Sequence, residues 1–102
     1  MTAQLREYVI AEGHLEEFVA AWLAGVVPLR RRLGFRIEGA WTVPAERRFV
    51  WILAHDADEE EFLALNDAYY ASGERAAVDP DPAQWVEESR QTFVRPILPV
   101  DR

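Results

Sequence analysis

Apolar and polar residues alternate along positions 35–54 in a pattern that predicts two strands joined by a tight turn. The first strand places Phe35, Ile37, Gly39, Trp41 and Val43 on one side, with Arg36, Glu38, Ala40 and Thr42 on the other. The second sets Phe49, Trp51 and Leu53 against Val50, Ile52 and Ala54, so it is apolar on both faces. Pro44-Ala45-Glu46-Arg47 supplies the turn. A strand apolar on both sides needs cover on both sides, and a chain of 102 residues has helices enough for only one sheet face.

The flanking segments complete the pattern. Gln4–Ile10, rich in Tyr, Val and Ile, predicts a first strand that Glu12 and Gly13 break. From His14 the period becomes helical, and Leu15, Phe18, Val19, Trp22, Leu23 and Val26 form one stripe. Glu16 and Glu17 in the first turn and Arg30, Arg31 and Arg32 in the last suit the helix dipole, and Gly34 is the left-handed stop. Pro28 predicts a kink, because it removes a hydrogen bond and crowds the Ala24 carbonyl. Asp58 caps a second helix with Glu61 as its capping-box partner; Phe62, Leu65, Tyr69 and Leu63 mark its buried side, and Gly73 ends it. Asp81 and Pro82 open a short helix carrying Trp85 and Val86. Gln91–Leu98 reads as the last strand, and Pro96, which donates no ladder bond, sets it at a sheet edge or ends it early.

The resulting order is βαββαβ, an α+β ferredoxin-like fold in one domain spanning 1–102, with a four-stranded antiparallel sheet and helices on one face. The bare face would leave several hundred Å² of apolar surface in water, as large as the biggest patches that soluble monomers expose. At ~25 cal/mol per Å², its burial is enough to drive association. A homodimer through the sheet faces, enclosing a dimeric α/β barrel, is therefore expected.

Charge and composition narrow the partners. The formal charge of −7 excludes a phosphate-tracking surface, so no nucleic acid is expected, and it disfavours anionic lipid. The apolar run Phe18–Leu29 is too short to span a bilayer and contains Pro28, so no membrane insertion is expected. The chain has no cysteine, which excludes disulfides and thiolate chemistry and fits a cytoplasmic location.

No metal-ligand spacing, phosphate loop or nucleophile elbow is present, and no cofactor is expected. Asp58-Glu59-Glu60-Glu61 reads as a helix start and Arg30–Arg32 as a helix end rather than an anion site. His55, followed by Asp56, is a candidate general base or axial haem ligand, against the plainer reading of a polar residue closing a strand. Arg6 and Tyr8 share one face of the first strand; Arg36, Glu38 and Thr42 share one of the second. If these faces line a small pocket, Trp41 or Trp51 forms its apolar wall and Tyr69 with Tyr70 gates it. The candidate set is thus Tyr8, Arg6, Arg36, Trp41, Trp51, His55 and Tyr69, with Tyr8 the first choice as hydrogen-bonding residue.

Leu5-Arg6-Glu7-Tyr8 with Glu12-Gly13, then Phe18, Trp22, Pro28-Leu29, Gly34-Phe35, Gly39-Ala40-Trp41, the apolar strand ending His55-Asp56, Tyr69-Tyr70 and Glu74-Arg75 together resemble the NIPSNAP family. The resemblance runs from Gln4 to Leu98 and implies a subunit of the dimeric α/β-barrel superfamily. It implies no reaction, because that superfamily holds cofactor-independent monooxygenases, haem-degrading enzymes, cyclases and proteins without known activity. Three readings follow: a barrel protein binding a small apolar or aromatic molecule or a partner, a cofactor-independent monooxygenase or cyclase acting on an aromatic or polyketide-like substrate, and a non-catalytic accessory subunit.

Overall fold

A computed structural model describes residues 1–98. Strands β1 (Thr2–Ile10), β2 (Arg36–Val43), β3 (Arg48–His55) and β4 (Val86–Val94) form one antiparallel sheet in the order β2-β3-β1-β4. Helices α1 (Leu15–Ala21) and α2 (Val27–Arg32) lie between β1 and β2, and α3 (Glu59–Ala71) and α4 (Gly73–Ala76) between β3 and β4. This is the ferredoxin-like α+β arrangement.

The register decides which residues meet the helices. Gln4, Arg6 and Tyr8 of β1 pair with Leu53, Trp51 and Phe49 of β3, and directly paired residues share a face. Against that face pack Phe18, Trp22 and Val26, joined by Phe35 and Phe62. The opposite face carries Leu5, Val9, Val50 and Ile52, all half-buried, and Trp41, whose side is 54% exposed.

Between α1 and α2 the chain forms a π-helical turn, Trp22–Val26. The Val27 N–H donates to the Trp22 carbonyl five residues back, and Pro28 follows in the first turn of α2, where a missing N–H costs nothing. The strain expected of Pro28 is thus absorbed by widening one turn, a feature frequent at functional sites. Along this helical run Phe18, Trp22, Val26 and Arg30 all turn inward, while Leu23 stays exposed.

Three other expectations are corrected. A bulge lies between Ile37 and Gly39 of β2, so Ile37 joins Ala40 and Thr42 on the helix side while Gly39, Trp41 and Val43 face away. Arg36, Glu38 and Thr42 therefore do not share a face. The final strand begins at Val86 and ends at Val94 rather than spanning 91–98, leaving Pro96 outside the ladder. Leu63 of α3 is exposed beside the buried Phe62 and Tyr69. Caps behave as read: the Glu61 N–H donates to Asp58 Oδ1 at 2.9 Å and the Ala83 N–H to Asp81 Oδ1 at 2.9 Å.

Candidate functional site

Between sheet and helices lies a cavity of about 290 Å³. Tyr8 and Trp51 form its floor, and Trp22 and Val26 from the widened turn form one wall. Arg30, Tyr69, Tyr70 and Arg75 also line it. Ser89 and Gln91 of β4 are exposed and mark the mouth. The wall is largely aromatic: Trp22 meets Trp51 edge to face at 5.2 Å, and Tyr8 meets Phe18 at 6.0 Å.

Its electrostatics run against those of the whole chain. Arg30 is 1% exposed, and its Nε and Nη1 have no hydrogen-bond partner. Its guanidinium lies 3.5 Å above the Tyr69 ring and 4.8 Å from that of Phe35. Burial, with Arg6 adding repulsion, lowers its pKa to about 10. Arg6, also buried, gives Nε to Gln4 Oε1 at 2.9 Å, Nη2 to Asn66 Oδ1 at 3.0 Å and Nη1 to the Tyr70 hydroxyl at 3.0 Å. Every one of these acceptors is neutral, so the Arg6 charge is solvated but not cancelled. Of these three arginines only Arg75 reaches a carboxylate among the described residues, Asp81, at 2.9 Å. No Asp or Glu is among the described residues lining the cavity.

Further donors point the same way. Trp22 Nε1, Trp51 Nε1, the Tyr69 hydroxyl and Arg75 Nε are buried without partners, and all four residues line the cavity. Such groups normally find partners, and leaving one unmade costs about 1–3 kcal/mol. Four unpartnered donors and the Arg30 guanidinium thus belong to residues that line one space.

The two neighbouring phenols are set apart. Burial pushes the Tyr69 hydroxyl above its ordinary value of 10. For Tyr70 burial acts the same way, but the Arg6 and Arg30 charges and the Arg6 hydrogen bond outweigh it and bring the hydroxyl below 10. In an ultraviolet titration of phenolate, Tyr70→Phe is expected to remove a transition below pH 10 and Tyr69→Phe one above it. The opposite assignment would contradict this electrostatic picture.

Of the residues singled out from sequence, Tyr8, Trp51 and Tyr69 meet at the cavity, with Arg6 braced against Tyr8 and Tyr70. Arg36, Trp41 and His55 stand elsewhere. Arg36 holds Asp56 at 2.6 Å and Glu38 at 3.3 Å. Trp41 lies on the opposite sheet face with its ring folded over Gly39. His55 accepts the Ala57 N–H on Nδ1 at 3.0 Å and meets Phe35 edge to face at 5.0 Å. Arg30 and Arg75 were not singled out. Arg30 had been read with Arg31 and Arg32 as a helix end, yet only its neighbours are exposed.

Fold and cavity define a ferredoxin-like α+β chain with a pocket between sheet and helices. An uncharacterized NIPSNAP domain protein from Burkholderia xenovorans superposes with a TM-score of 0.82 at 22% identity, over 97% of this chain and 99% of its own. A NIPSNAP family protein with unknown function from Agrobacterium tumefaciens gives 0.85 at 12% identity, over 99% and 94%. A putative antibiotic biosynthesis monooxygenase from Nitrosomonas europaea gives 0.68 at 14% identity, over 96% and 100%. The chain has the fold that these proteins share, and it matches no family model and no curated protein sequence. Among the described residues no helix is long and apolar enough to cross a membrane.

Proposed function

We propose that this chain is a NIPSNAP-like barrel protein of the cytoplasm that associates as a homodimer and holds one small aromatic molecule in the cavity of each subunit. The observation that carries the reading is the cavity itself: a 290 Å³ space walled by aromatic rings and containing unpartnered donors, at the small end of the range for ligand sites. A subunit with a purely accessory role has no need of such a space, which offsets no cost it creates. The site lies within one subunit, beside the barrel rather than inside it, so each copy carries its own complete set of lining residues.

Trp22 and Trp51 line the cavity, so an occupant alters their fluorescence. Titration with a small panel of mono- and bicyclic aromatics is expected to give saturable changes that disappear when the cavity is filled by Val26→Trp. Unchanged emission across the panel would refute the binding reading.

A second reading, a cofactor-independent oxygenase, draws support from the phenols of Tyr8, Tyr69 and Tyr70 beside guanidinium charge, which suits a substrate that reacts as its enolate or phenolate. Oxygen uptake with dihydroxylated aromatics, lowered in Tyr8→Phe, would favour it; no uptake from any of them would leave binding alone.

A further inference from the structure

We infer that the occupant of this cavity is a small planar aromatic acid whose carboxylate is received by Arg30, with Arg75 and the Tyr69 hydroxyl beside it. The inference rests on the small-molecule reading above and specifies its chemistry. Arg30 and Arg75 line the space and Arg6 lies behind its wall over the Trp51 ring, and among the described residues only one carboxylate, Asp81, pairs with any of the three. Asp81 is already engaged with Arg75 and with the Ala83 N–H. Arg30 is the group left without an anion: it is buried, close enough to Arg6 to feel its charge, and two of its nitrogens have no acceptor.

The shape argues for carboxylate joined to a flat ring. Guanidinium and carboxylate match as planar, two-pronged partners. The body of such a ligand would lie among Tyr8, Trp22 and Trp51, whose faces and edges suit a ring. The indole N–H groups of Trp22 and Trp51 can serve a ring hydroxyl or a keto oxygen. A neutral aromatic would fill the same volume and leave Arg30 buried without a counter-charge, which is the costlier outcome.

The test uses the full chain, with 1-naphthoate, its methyl ester, 1-naphthamide and inorganic phosphate as probes, read by tryptophan fluorescence and by the indole N–H resonances of Trp22 and Trp51. The carboxylate is expected to bind at least tenfold more tightly than the ester or amide, to move those resonances, and to weaken as salt is raised. Arg30→Met is expected to bring all three aromatics to similar affinity, and Arg30→Lys to restore part of the preference. Equal binding of acid, ester and amide to the parent chain overturns the anion assignment while leaving the small-molecule reading intact. Absence of binding by all three removes both. Phosphate competing as well as naphthoate overturns the requirement for an aromatic body. A preference that persists in Arg30→Met, or shifts confined to the Trp41 resonance, overturns the location. Should Arg30→Met fold poorly, Tyr69→Phe and the salt dependence of the parent chain still divide these outcomes.

Discussion

Replacing Arg30 by Met is expected to raise the thermal midpoint of the ligand-free chain by several degrees. The cation is 1% exposed, and the fall of its pKa to about 10 corresponds to about 3 kcal/mol of lost stability. Its position above the Tyr69 ring at 3.5 Å returns about 1–2 kcal/mol as a cation–π contact. Met keeps most of the stem, removes the charge and leaves the ring face packed, so a net gain of about 1–2 kcal/mol is expected, or roughly 5–10 °C for a domain of this size. The sign with pH follows from proton counting. Above about pH 10 the unfolded chain still holds the Arg30 proton that the native chain has released, so native stability rises with pH there until the unfolded chain releases it too. The advantage of Arg30→Met should therefore be full below about pH 10 and shrink above it. Scanning calorimetry at neutral pH decides the point: a midpoint lower than that of the parent chain would mean that Arg30 is a stabilising group and not one kept for a ligand.

The second large effect is on assembly. Ile52→Glu is expected to turn the proposed dimer into single subunits at micromolar concentration without unfolding them. Strands of eight and nine residues make a four-stranded face of roughly 30 by 19 Å, about 600 Å² per subunit. Two such faces bury about 1,200 Å², the lower bound for a stable specific interface. Ile52 lies near its centre, paired with Leu5 on one side and Gly39 on the other. A carboxylate there would be desolvated in the dimer with no partner, at several kcal/mol, but hydrated in the single subunit. Sedimentation velocity gives the mass directly. If the parent chain already sediments as one subunit, the barrel is wrong; if Ile52→Glu remains dimeric, the interface lies elsewhere.

Much of this architecture can be read from alternation and caps, and the misreadings have physical causes. Strand β3 was legible because both of its faces are apolar. Half of β2 was not, because the bulge at Glu38 reverses the alternation without leaving any mark in residue type. The start of β4 was hidden for another reason. Glu87, Glu88 and Arg90 decorate an edge strand that is exposed from Glu87 onward, so no apolar period announces it. At the site, Tyr8, Trp51 and Tyr69 could be named because aromatic residues on paired strands and a helix stripe converge. Arg30 was passed over because three arginines at a helix end have an ordinary explanation in the dipole. The signal was nonetheless present: Phe18, Trp22, Val26 and Arg30 recur at every fourth position, and the last of them is charged. Arg36 is placed by an alternation that the bulge reverses and His55 by its position at a strand end, and their partners prove to be Asp56 with Glu38 and the Ala57 N–H.

That fourfold ladder owes its straightness to the π turn. In a regular α-helix each step of four overshoots a full revolution by about 40°, so three steps would swing Arg30 about 120° from Phe18. The wider turn at Trp22–Val26 takes back part of that drift and keeps the guanidinium over the cavity. One residue of helix length thus tunes what charge the site accepts. A sequence lacking a single amino acid between Leu23 and Gly25 would rewind into ordinary helix and aim its arginine at solvent, and among chains of this shape ligand preference should divide along that one-codon line.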